Sequence, residues 1–172
     1  SMLALSMSSA AARREDSKSK LGCCGCNEIL RPLSITCAKD AVSMTACTIS
    51  HNDASDNAGG IQNIGASTFN LTNCVINHNN AVDRGGGIRI SKTGSANTLT
   101  DCTVRDNLAG GGATDDGGGI YLADGAHTLI NCTISGNSNA INGGGIYDAV
   151  NNNNIFLYNC TIVNNTCSGE GG

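Results

Sequence analysis

Apolar positions in this chain recur in a short fixed phrase. An apolar residue is followed three positions later by Cys, two after that by Ile or Val, and three after that by Asn. The phrase reads Met44-Cys47-Ile49-Asn52, Leu71-Cys74-Ile76-Asn79, Leu99-Cys102-Val104-Asn107, Leu129-Cys132-Ile134-Asn137 and Leu157-Cys160-Ile162-Asn165. A glycine block follows the first four, at Gly59-Gly60-Ile61, Gly85 to Ile88, Gly117 to Ile120 and Gly143 to Ile146. Gly triplets, Asn, Thr and β-branched residues at this density disfavour a helix and favour short strands. Side chains on a strand alternate faces, so Leu129 points in, Ile130 out, Cys132 in, Thr133 out and Ile134 in. Two inward residues an odd number of steps apart require a bend between them. Asn131 stands at that bend, and Asn tolerates the left-handed backbone a tight corner needs.

The spacing identifies which parts are rigid. Successive phrase cysteines are 27, 28, 30 and 28 residues apart. The apolar-to-Cys step never changes, whereas the Cys-to-Ile step is 14 residues except for 18 in the third repeat. That places a four-residue insertion around Ala109 to Asp116. Fixed strands with variable loops are the signature of a solenoid. The expected fold is all-β: a parallel β-helix of about five coils of 27–30 residues over 36–172, truncated within the last coil. Residues 1–35 do not match the repeat and are expected to be a cap or disordered. The next core Ile would fall beyond Gly172, which suggests a longer array or an end that pairs with another copy.

Stacked coils would put like residues in file. Cys47, Cys74, Cys102, Cys132 and Cys160 form one inward ladder, expected as free thiols because neighbours in the file stand slightly beyond disulfide reach. Asn73, Asn131 and Asn159 form a corner ladder, with Asp101 as a partial substitute. The second Asn file, Asn52, Asn79, Asn107, Asn137 and Asn165, is expected to mark the next corner. Asn131 and Asn159 head Asn-x-Thr glycosylation triplets, read as accidental because glycans would clash with the stack.

Composition narrows function. The 172 residues hold 23 Gly, 1 Pro, no Trp and only 3% aromatics, with a net charge of −4. Basic residues are too few for a phosphate-tracking surface, so no nucleic-acid partner is expected. No apolar run reaches the length of a membrane span. Cys23, Cys24 and Cys26 lack the second ligand pair of a structural zinc site, and unpaired thiols or a local disulfide suit them better.

Candidate chemistry is sparse, and neither a catalytic group nor a cofactor is assigned. Asp83, Asp115 and Asp116 precede glycine blocks, and Tyr121 and Tyr147 fall on the outward face of the glycine strands beside Gln62 and Arg89. Together they are candidates for glycan or Ca²⁺ contact. His51, His78 and Asp106 share one outward file with Gly136 and Asn164 and are weak metal candidates. Thr48, Thr103, Thr133 and Thr161, with Val75 replacing one, form an outward file that brings ice binding into view, although ordinary β-propensity accounts for it.

The GGxI blocks alternating with apolar-x-x-N resemble the repeats of chlamydial polymorphic outer-membrane proteins. The NCTISGN…GGGIY phrase is similar to bacterial right-handed parallel β-helix repeat proteins. The resemblance covers residues 44 to 172, with Ile or Val here where the chlamydial motif has Phe. It implies a right-handed coil, a secreted or cell-surface location and adhesive use toward a host-surface or glycan ligand. The expected function is therefore a structural or adhesive segment of a larger surface protein. A carbohydrate-binding or polysaccharide-degrading β-helix is the alternative, and ice binding the second.

Overall fold

The computed structural model describes residues 24–25, 29–30, 35–37, 41–65, 68–91, 96–112, 115–139, 141–150 and 154–171. The charged stretch before Lys20 and the side chains of Cys23, Cys24 and Cys26 lie outside them. Among the described residues four sheets run along the molecule, and every strand pairing within them is parallel. One coil serves as the pattern: Thr68–Thr72 lies in a first sheet, Val75–Asn77 in a second, Asn80–Ala81 in a third and Ile88–Ile90 in a fourth. Among the described residues the sheets hold six, six, four and five strands in that order. Short strands at Cys24–Gly25 and Ile29–Leu30 add to the first and second sheets, within the stretch the repeat does not cover. The result is an all-β parallel solenoid.

The repeat phrase maps onto this geometry position by position. Leu71 stacks between Met44 and Leu99, and Ile76 between Ile49 and Val104. All six are buried, as are Ile61, Ile88 and Ile120 of the glycine strands. Each such side chain contributes about 1.5–3 kcal/mol relative to exposure. The files run open at the last described coil, where Leu157 and Ile162 are 44% and 45% exposed while Leu129 and Ile134 beneath them are buried.

Both corners use the left-handed conformation. The first is formed by Ala46, Asn73, Asp101, Asn131 and Asn159, at φ of 52–54°. Asn159 Nδ2 donates to Asn131 Oδ1 at 2.8 Å, and Asn131 Nδ2 donates to Asp101 Oδ1 at 3.0 Å. Asp101 accepts and has no amide to pass the chain on. The second corner differs from the expectation. Its positive φ falls on His51, His78, Asp106, Gly136 and Asn164, one residue before each Asn of the second file.

Those Asn residues turn inward instead. Asn79 Nδ2 donates to Asn107 Oδ1 at 3.0 Å and to Ile49 O at 3.0 Å, and the Asn79 backbone N–H donates to the same Oδ1 at 3.0 Å. The unit repeats from Asn52 to Asn165. A corner leaves backbone groups that strand pairing cannot reach, and the buried amide supplies both a donor and an acceptor for them. Glycine in the following block answers a spatial demand: a Cβ on Gly87 would lie 2.7 Å from Gly119 O of the next coil.

Candidate functional site

The inserted loop and the glycine strands hold most of the side chains the sequence singled out. Asp115 is 2% exposed. Its Oδ2 accepts from Gly111 N–H at 3.0 Å and its Oδ1 from Gly112 N–H at 2.8 Å. The carboxylate therefore clasps the four-residue insertion from within. A Cβ on Gly112 would meet both Asp115 Oδ1 and Asp83 Oδ1, so the two carboxylates flank one glycine. Asp116 faces the next coil and accepts from Asn142 Nδ2 at 3.2 Å.

The outward file of the fourth sheet brings the aromatic pair together. Register aligns Gln62, Arg89, Tyr121 and Tyr147. The Tyr121 and Tyr147 rings stack at 5.7 Å between centroids with 26° between planes. Arg84 Cζ lies 5.4 Å and Arg89 Cζ 5.8 Å from the Tyr121 centroid. Tyr121 is only 6% exposed, whereas Tyr147 is half-buried. Tyr121 is thus the floor of a cation–aromatic stack rather than an open platform. Desolvation and the nearby Asp116 charge raise the Tyr147 phenol above its ordinary value.

The histidine file lies at the second corner, beyond the second sheet. His51 and His78 stack at 5.1 Å with 3° between ring planes. Asn77 Nδ2 lies 3.0 Å from His78 Nδ1, and His78 Nε2 is 3.9 Å from Asp106 Oδ2, which Arg105 also holds. Parallel stacked rings do not converge their nitrogens on one point. Among the described residues no three His, Cys, Asp or Glu side chains are arranged to hold a metal ion. The Thr file is interrupted where Val75 pairs with Thr103, and Arg105 lies beside it, paired with Asn77 and Ser135.

The thiols depart from the expectation at one position. Cys74, Cys102 and Cys132 are free and buried, and Cys160 is free and half-buried, but Cys47 is disulfide-bonded. Neighbours along the file stand beyond disulfide reach, and with Cys74, Cys102, Cys132 and Cys160 free, Cys47 pairs outside the file. Cys102 Sγ donates to Thr100 O at 3.2 Å, and the neighbouring thiols of Cys132 and Cys74 together with burial push its own thiol up.

A buried polar spine escaped the sequence reading. Asn63 Nδ2 donates to Asn97 Oδ1 at 3.3 Å, and Asn97 Nδ2 lies 3.3 Å from His127 Nδ1. With the amide as donor, Nδ1 accepts and the ring proton sits on Nε2. That Nε2 has no hydrogen-bond partner assigned among the described residues, and burial lowers the His127 pKa despite the Asp148 charge and the backbone and charge of Asp124. The signal was present: Asn97 and His127 stand two residues before Leu99 and Leu129, and alternation points them inward.

The family model described as a right-handed β-helix region matches residues 12–166. No curated protein and no solved structure matches the chain.

Proposed function

Since the chain belongs to the right-handed β-helix family, in which a shared coil serves both adhesive and polysaccharide-acting proteins, we propose that it is a non-enzymatic, surface-displayed scaffold that carries loops and one polar face to a ligand. The observation that carries this reading is the state of its carboxylates. Asp115 is buried on the amides of Gly111 and Gly112, and Asp116 is tied to Asn142 of the next coil. Both side chains serve the fold, which leaves neither poised as the acid–base pair glycoside hydrolysis uses. The Cys47 disulfide supports a secreted or cell-surface location, because disulfides persist in oxidising compartments. The likeness of the GGxI blocks to polymorphic outer-membrane repeats points the same way.

The test pairs retention with turnover. The chain is passed over immobilised glycans and cell-surface extracts, and separately incubated with a polysaccharide panel while new reducing ends are measured. Retention without new ends is the expected result. Release of new ends that Asp116→Asn abolishes would establish the polysaccharide-degrading alternative instead. Thermal hysteresis in the same preparation would favour ice binding.

A further inference from the structure

We propose that Arg84 and Arg89, held against Tyr121 and edged by Tyr147, form a binding site for an acidic saccharide, read through its carboxylate or sulfate. The proposal rests on the display reading above and names the ligand class for one face of the scaffold.

Two guanidinium groups stand within 6 Å of one buried ring. Neither has a carboxylate within 4.0 Å among the described residues, where the ion pairs gather at Asp106 on the second corner. The Nε atoms of both arginines are buried without a hydrogen-bond partner. Contact with the Tyr121 ring holds both groups at one place, and closure of Nε leaves the terminal nitrogens as the recognising edge. A rigid planar fork of donors matches the oxygens of a carboxylate or sulfate. Here two guanidinium groups are positioned side by side and neither makes a salt bridge among the described residues.

The neighbouring side chains suit a sugar rather than a bare ion. Tyr147 offers a half-buried ring on the same outward file, one coil from Tyr121, and an aromatic face packs against the apolar side of a pyranose. Gln62 extends the file in the other direction, one coil beyond Arg89, with an amide donor and acceptor. The file has a coil spacing of roughly 4.8 Å. A saccharide lying along it would meet amide, guanidinium and ring in succession.

The experiment is equilibrium binding of the intact chain to three oligosaccharides of equal length: a polyuronate, a sulfated glycan and a neutral glucan. Binding to either acidic probe, with none to the glucan, is expected. Affinity should fall on raising the salt from 50 to 500 mM, on the order of tenfold as exposed charges are screened. Arg84→Gln and Arg89→Gln should each weaken it by about tenfold. Arg89→Lys, which keeps the charge and loses the fork, should weaken it in between. Arg105→Gln, on the other face, should leave it unchanged, and thermal melts establish that each variant folds. The two acidic probes decide between carboxylate and sulfate. Equal binding of the glucan, failure of both acidic probes, or retained affinity in Arg84→Gln and Arg89→Gln overturns the site. None of those results by itself touches the display reading, which falls on turnover or on thermal hysteresis.

Discussion

Asn107 is the position at which the interior can be weighed most directly. Its Nδ2 donates to Ile76 O at 3.0 Å and to Asn137 Oδ1 at 2.9 Å. Its Oδ1 accepts from the Asn79 backbone N–H and from Asn79 Nδ2, both at 3.0 Å. Asn107→Leu preserves volume and removes all four bonds. Asn137 Oδ1 keeps one donor, the Asn107 backbone N–H at 3.0 Å. The Asn79 N–H, one Asn79 amide hydrogen and Ile76 O are left buried without those partners. An orphaned buried polar group costs about 1–3 kcal/mol, so three cost roughly 3–6 kcal/mol after partial relaxation. Asn131→Ala provides the contrast. It removes exposed bonds and asks Ala to hold a positive φ, which Ala46 already does at the same corner. That change costs about 1–2 kcal/mol. Urea denaturation monitored by circular dichroism compares the two. With a urea slope of about 2 kcal/mol/M, the Asn107→Leu midpoint should fall by about 1.5–3 M, well beyond the roughly 0.5–1 M expected for Asn131→Ala. Equal midpoints, with unchanged slopes, would show that the buried amides are not what holds the second corner.

Two further outcomes follow from single side chains. Burial sets the folded-state pKa of His127 below its ordinary value of 6.5. The unfolded chain therefore takes up the proton first, and stability present above pH 6.5 is lost as pH falls toward the folded pKa. Melting temperature against pH should show that loss in the parent and a flatter acid limb in His127→Asn, and identical limbs would refute it. Asp115→Asn replaces a charged acceptor of two amides. It should cost about 1.5–3 kcal/mol locally, read as faster hydrogen exchange at Gly111 and Gly112 with little change at Asn107.

How much was legible in the chain itself depended on whether a residue's role was local. The phrase spacing fixed the strands, the first corner at Asn131 and the inward Leu and Ile files, because alternation and a forced bend are properties of a few consecutive bonds. The four-residue insertion was equally visible as an exception to a constant step. What the inserted side chains do was not, since Asp115 acquires its role only when the loop folds back to present the amides of Gly111 and Gly112. The second corner was placed one residue late because Asn is favoured both at left-handed corners and in buried stacks. Only the next coil decides which use it has. The same holds for Arg84, remote in sequence from Tyr121 and beside it in space. Sequence alone determined the winding of the chain, through periodicity that every coil repeats. The tertiary structure decided which polar groups are consumed inside the stack and which guanidinium groups are left facing out, because each hydrogen bond or charge there is completed by an atom a full turn away.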